Sequence, residues 1–457
     1  MAALEQMIVD HLSSTHWTNL PCTTVDATKR SILDTLAAIV AGSTADDIDR
    51  LVTALQTPRG AAQATILVYG SRVSAPDAAW ANGAMARARE FDDSHDPTGD
   101  HTSVPILSAA LALAELAGPV SGREFITAYA LAADMTARLR MAPSRKVGGT
   151  AFAANTYAPF SAAVAGASLL KLNGESMYDA LAWAYSQAAG SVQLQQSGGS
   201  ALHIHHGMAA AAGVRSSLLA KQGFHGMSDC LTGKFGLYNA YEAGEFDESI
   251  ITKDLGTSYL IDQVSLKQYP AGRVTHGPIE AAIELHHTAN MMLDQIDRVD
   301  VVYTRGGFNM TCEPEADRRT PINTQDAKFS LYYNVACALA RGHVTLADFS
   351  PEAVADPGVA ALTKKINVHV DPELTSIIPP GRLTVVFTDG TAREAVVPEL
   401  KGTPTNPVSL TDCAEKFRLC LPYAARDMSS KSDELIDSIV NFEQLEDVGA
   451  WLVGHLS

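Results

Sequence analysis

The 457-residue chain exceeds the size at which a single hydrophobic core usually stops growing, so two domains are expected. Hydrophobic residues make up 46% and charged residues 19%, a balance that argues against extended disorder. Asp and Glu number 51 against 34 Lys and Arg, a formal charge of -17 that argues against nucleic acid and membrane surfaces as partners but leaves room for a cationic pocket binding a small anion.

The opening residues MAALEQMIVDHLSS carry acids and no basic stretch ahead of a long apolar run, so no signal peptide is expected. The most apolar segments, 109–114 and 162–170, are too short to span a bilayer. Six cysteines are scattered without a CxxC pair and read as reduced thiols, several of them core residues. These features lead us to expect a soluble, cytoplasmic protein.

Residues 24–41 place Ile32, Leu33, Leu36 and Ile39 with Val40 on one helical face, and Gly42 follows as a stop. Segments 77–89, 105–117, 122–140, 161–172, 177–189 and 208–222 repeat that pattern. Alanine dominates them, and small side chains let helix axes approach toward the low end of the usual spacing of about 8–10 Å. After about Ser265 the pattern changes. Residues 296–303 (IDRVDVVY) alternate and are β-branched, as in a strand. Segments 383–387 and 392–397 flank Thr388-Asp389-Gly390-Thr391, which reads as a hairpin with Asp-Gly at its turn. Residues 326–340 are helical again, and 411–420 and 432–445 close the chain as helices. The expected fold is mainly α: a large all-α helical domain of residues 1–265 with 406–457, and a smaller α+β lid domain of residues 266–405.

Three polar clusters interrupt the apolar background. The first runs from Glu90 to His101 (EFDDSHDPTGDH) between two helices. It reads either as a solvated turn that caps the helix near Pro105, or as the dense set of carboxylates and imidazoles that proton transfer requires. The second, GGSALHIHHG at 198–207, precedes the helix expected at 208–222. Its histidines have a spacing found in metal sites, and a helix N-terminus beside them would suit an anion equally. The third, KQYPAGRVTHG at 267–277, combines Lys267, Arg273 and His276. It is either charge on the surface of a linker or a pocket for a di- or tricarboxylate. Phosphate loops, GxSxG elbows and dinucleotide fingerprints are absent from the sequence.

These clusters resemble the MmgE/PrpD family, whose members include 2-methylcitrate dehydratase, cis-aconitate decarboxylase and iminodisuccinate epimerase. The resemblance runs over nearly the whole chain, through ATKRSILDTLAAIVAG, NGAMARAREFDDSHD, HTSVPILSAALALAE, LLKLNGESMYDALAWAYSQAAGSVQ, HHGMAAAAGVRSSLLAKQGFHG, KQYPAGRVTHGPIEAA and DAKFSLYYNVACALARG. It implies a helical domain with a smaller α+β lid, a homodimer, a site between the domains that needs no cofactor, and a small carboxylate substrate. By motif it implies catalytic roles for Glu90 or Asp92, with Ser94 nearby, and for His101, Lys267, His276 and Tyr333; beside these, Arg273, Asp93 and Ser94 are expected to bind substrate. Two segments depart from the family pattern. Its Gly-x-His-Pro-Thr stretch reads GGTAFAANTYAP here, and the lysine before its HxG is matched by Leu202. His203, His205 and Tyr157 are the substrate-binding residues available to compensate.

The chemistry implied is loss or relocation of a group near a carboxylate through enolate-like states, which needs a base near the C–H bond and an acid opposite it. A lyase, either dehydratase or decarboxylase, is the first expectation. An epimerase or racemase of an amino- or imino-dicarboxylate is the second. A metal-dependent hydrolase using His95, His101, His203 and His205 is a third, and a non-catalytic binding protein a fourth.

Overall fold

The computed structural model describes residues 1–57, 60–143, 154–194, 200–288 and 292–457. The chain forms two compact units. The first comprises Met1–Ala88, Asp92–Leu266 and Val408–Ser457, and the second Arg89–Phe91 with Lys267–Pro407.

The first unit is a stack of helices: α1 (Ala3–Ser14), α2 (Cys22–Gly42), α3 (Ala75–Ala88), α4 (Ser103–Ala117), α5 (Gly122–Met141), α6 (Ala158–Leu169), α7 (Gly174–Ser186) and α8 (Ala201–Lys221). Small side chains bring these helices together. At the α8–α3 crossing, a Cβ on Gly207 would lie 2.2 Å from the Trp80 carbonyl oxygen. Farther along α8, a Cβ on Gly213 would meet Cβ of Ala162 on α6 at 2.2 Å. No other residue fits such backbone-to-backbone approaches. The starts of two helices are fixed locally. Ser121 and Glu124 form a reciprocal cap on α5, and Asp93 accepts the Ser103 N–H at the start of α4. The helix Leu410–Cys420 packs on α2, where Lys416 pairs with buried Asp34 at 2.7 Å. A hairpin of two short antiparallel strands, β1 (Ala64–Ile66) and β2 (Ser71–Val73), corrects the all-α expectation for this unit.

In the second unit, β3 (Ile296–Tyr303), β4 (Ile366–Val370), β5 (Gly381–Phe387) and β6 (Ala392–Val397) form one sheet in the order β4-β3-β5-β6. The β3–β4 pair is parallel, and β3–β5 and β5–β6 are antiparallel. A register shift between Ile296 and Arg298 lets Ile296 and Val299 both face inward, although an odd spacing would otherwise put them on opposite faces. Val299, Val301, Ile366, Leu383 and Val385 share one core with Ile279 and Leu285 of α9 (His276–Thr288) and with Val335 and Leu339 of α10 (Leu331–Arg341). The Asp-Gly turn forms as expected: Gly390 has φ 85°, and Asp389 Oδ1 accepts from the Thr391 N–H at 2.9 Å.

The single helix expected over 326–340 is two, Thr324–Lys328 and α10. Between them Ser330 is extended, and its Oγ accepts the Tyr333 N–H at 3.0 Å, so the second helix starts from its own cap. All six cysteines are free thiols. Among the described residues, no helix is long and apolar enough to cross a membrane.

Candidate active site

In the first unit, α3 delivers Arg87 beside the loop that leads to α4. Asp92 is fully buried there. One of its carboxylate oxygens lies 3.5 Å from Arg87 Nη1 and the other 2.6 Å from His101 Nδ1. The same Nδ1 is 3.2 Å from the Asp93 carbonyl oxygen. Both neighbours of Nδ1 are acceptors, so the neutral ring carries its proton on Nδ1 and its lone pair on Nε2. The His101 side chain keeps 15% of its surface exposed, whereas Asp92 has none. A carboxylate that orients an imidazole is the arrangement a general base needs.

The neighbours of this pair are turned inward. Asp93 accepts from both the backbone N–H and the hydroxyl of Ser103. Burial is the main cause that pushes its carboxyl up to about 7; the Ser103 hydroxyl opposes this and adjacent Asp92 adds to it. Asp93, expected to bind substrate, is placed as an internal cap of α4. Ser94 is buried, and its backbone pairs with Ser265 in both directions, at 2.9 and 2.8 Å.

His95 is buried, with Nδ1 2.7 Å from Thr98 Oγ1. Burial pulls its pKa from 6.5 down to about 4, while Asp96 opposes this. A folded-state value below the unfolded one means that stability is complete above pH 6.5 and is lost as pH falls toward about 4. Asp93 and Asp100, both pushed up to about 7 by burial, contribute with the opposite sign. Comparison with His95→Gln isolates the histidine. Urea unfolding between pH 7 and pH 4.5 is expected to show a shallower loss of stability in the variant than in the wild type, by up to about 3 kcal/mol. Parallel curves would assign the acid sensitivity to other groups.

The histidine cluster lies elsewhere than expected. His203, His205 and His206 sit inside the first turns of α8, which begins at Ala201, and not in a loop ahead of a helix. Successive helical residues turn by about 100°, so His203 and His205 diverge by about 200° and cannot share a ligand through their rings. His205 Nε2 lies 3.1 Å from the Ala189 carbonyl oxygen. His206, expected only as one of the cluster's three histidines, meets the His101 ring edge to face at 5.5 Å. Its Nδ1–H donates to the Leu202 carbonyl oxygen at 2.9 Å. Burial first, then Arg87 and His101, hold it well below the usual histidine range, so it packs against His101 as a neutral ring. Among the described residues, no group of three or more His, Cys, Asp or Glu side chains is placed to hold a metal ion. Tyr157 is buried, and its hydroxyl donates to Glu242 Oε1 at 2.9 Å. Of the departing segment GGTAFAANTYAP, residues 148–153 lie outside the described residues.

In the second unit, Lys267 is fully buried, and its Nζ lies 3.2 Å from both the Glu90 carbonyl oxygen and Glu90 Oε2. Glu90 takes a left-handed φ of 55°, an uncommon backbone for a glutamate. Arg273 Nη1–H donates to His276 Nδ1 at 3.4 Å, and His276 Nε2–H donates to the Ala271 carbonyl oxygen at 3.4 Å. Tyr269 packs against the His276 ring edge at 5.2 Å. These contacts fix the His276 tautomer opposite to that of His101. Tyr333 sits in the core of this unit, and its hydroxyl donates to the Asp348 and Ala353 carbonyl oxygens. Burial raises its pKa. The hydroxyl of Tyr333, expected to act in catalysis, thus has its proton on backbone acceptors of its own unit.

Comparison with known proteins gives two family matches. A sequence model of the MmgE/PrpD N-terminal domain matches residues 6–249, and one of the C-terminal domain matches residues 269–441. The chain is 26% identical over 463 residues to cis-aconitate decarboxylase from Aspergillus terreus, covering 95% of this chain and 93% of that protein. It is 30% identical over 245 residues to 2-methylcitrate dehydratase from Cupriavidus necator, covering 51% of this chain and 50% of that protein. The 2-methylcitrate dehydratase of Escherichia coli K12 is 29% identical over 244 residues, with 51% and 50% covered.

Proposed function

The chain belongs to the MmgE/PrpD family, and from that membership we propose that it is a lyase acting on a small di- or tricarboxylate by proton transfer at carbon. One observation carries the reading: His101 Nδ1 stands 2.6 Å from Asp92, itself beside Arg87. Arg87 favours the ionised form of Asp92, and Asp92 favours the imidazolium that forms when His101 Nε2 takes a proton. In a dehydration that proton comes from the carbon beside a carboxylate, and the β-hydroxyl leaves as water on taking a proton from a general acid on its own side or from solvent. In a decarboxylation His101 enters as the imidazolium, protonated on Nε2 from solvent, and gives that proton to the carbon from which CO₂ has departed. The decarboxylase relative spans nearly all of this chain and the dehydratases about half, which favours decarboxylation as the first reaction to test. We take the residues of the chain itself to be sufficient for this chemistry, without a cofactor.

Incubation of the purified chain with cis-aconitate, citrate and 2-methylcitrate, followed by CO₂ release and by ultraviolet absorbance of the conjugated double bond, tests the proposal. CO₂ release, or a change in unsaturation without it, is the expected result. Racemisation of an amino- or imino-dicarboxylate in place of either would replace the lyase reading with an epimerase.

A further inference from the structure

His206 reaches His101 across a helix crossing, and three features hold it there. Its side chain is buried, and its Nδ1–H donates to the Leu202 carbonyl oxygen at 2.9 Å, which fixes its own orientation. Trp80 of α3 donates its indole N–H to the Ile204 carbonyl oxygen at 3.1 Å, pinning the first turns of α8 to α3. Farther along α3, a Cβ on Gly83 would lie 2.9 Å from Gly207 Cα, so the two backbones touch at the residue after His206. The helix that seats His206 also carries Arg87, the cation beside Asp92.

The Asp92 carboxylate and the Asp93 carbonyl oxygen both meet His101 at the same atom, Nδ1. Two bonds to one atom set where that atom lies, but not the plane of the ring. The χ2 torsion of a histidine is broad and roughly two-fold, so a ring anchored at one nitrogen still pivots. His206 bears on the ring itself. The two centroids are 5.5 Å apart and the planes meet at 82°, the edge-to-face arrangement that ring quadrupoles favour. Burial first, then Arg87 and His101, keep His206 neutral, so it braces its neighbour without competing for the proton.

We propose that His206 is a positioning residue, whose ring holds the plane of the His101 imidazole so that Nδ1 stays on Asp92 and Nε2 is presented to the reacting carbon. The reacting carbon rests on the lyase reading above, whereas the bracing of His101 does not. What acts is the ring and not its proton, which is committed to Leu202.

Two variants separate the ring from the hydrogen bond. His206→Asn keeps a side-chain donor for Leu202 and removes the ring, and His206→Phe keeps a ring and removes the donor. With a tricarboxylate that the wild type turns over, His206→Asn is expected to lower kcat about tenfold or more, the order of cost of a misaligned reacting group, with KM near the wild-type value. His206→Phe is expected to recover most of that loss. A second readout needs no substrate: ¹⁵N NMR of the histidine-labelled full chain at about pH 9, where imidazoles are neutral. The His101 signals are those missing from His101→Gln. One tautomer, protonated on Nδ1, is expected in the wild type and in His206→Phe, and an average of the two tautomers in His206→Asn. Either a wild-type kcat or the wild-type tautomer in His206→Asn overturns the proposal, and so do equal losses in the two variants or a loss confined to KM. If His206→Asn does not fold, His206→Leu replaces it in both measurements. A wild type that turns over no tricarboxylate would remove the lyase reading, and the tautomer then decides the positioning alone.

Discussion

His101→Gln is expected to lower kcat by about a thousandfold, within the range general acid–base groups contribute, while leaving the melting temperature near that of the wild type. The side chain is partly exposed and stands at the edge of the Arg87–Asp92 pair, so its replacement opens no large cavity. Asp92→Asn is expected to cost less. The Asp93 carbonyl oxygen still holds the proton on Nδ1 after the carboxylate is lost, so the tautomer survives although the support for the imidazolium does not. A well-folded His101→Gln variant with wild-type kcat would remove this residue from the reaction. Equal losses in both variants would mean that Asp92 acts by more than orientation.

Lys267→Met is expected to destabilise the protein by about 3–5 kcal/mol, the usual consequence of removing one partner of a buried ion pair. The physical reason is the Glu90 carboxylate, which is almost fully buried, sits on a left-handed backbone and has the Lys267 ammonium 3.2 Å away. Without that cation the buried carboxylate loses the charge 3.2 Å away that offsets its own. Combining Lys267→Met with Glu90→Gln removes the stranded charge, so the double variant is expected to recover part of the loss, as a double-mutant cycle in urea would measure. Additive losses would show that the two side chains do not stabilise each other.

The Ala-rich helices were legible because periodicity and small residues are local properties. Residues 122–140 were read as a helix that runs Gly122–Met141, and 105–117 as one that runs Ser103–Ala117. The short β1 and β2 were not, since three residues cannot display an alternating pattern. The start of α8 was placed late because LHIHHG shows no apolar period, although those residues are helical. Asp92 and His101 stood out within one acidic loop, and their contact needs only that loop to fold back. The meeting of His206 with His101 depends instead on the α3–α8 crossing, which Gly207 permits through a contact with Trp80, distant in sequence. Arg87 looked like the ordinary basic end of a helix. What distinguishes it is burial, which tertiary structure alone decides. Tyr333 shows the converse. A motif identifies its position in the chain, but not that its hydroxyl faces the Asp348 and Ala353 carbonyls.

Proton NMR in D₂O of the wild type and of His101→Gln, each with a tricarboxylate that the wild type turns over, tests proton transfer by His101 most directly. The account predicts product from the wild type, with any proton gained at carbon appearing as deuterium, and neither product nor exchange from the variant over the same period. Product or deuterium at the wild-type rate from a folded His101→Gln would contradict it.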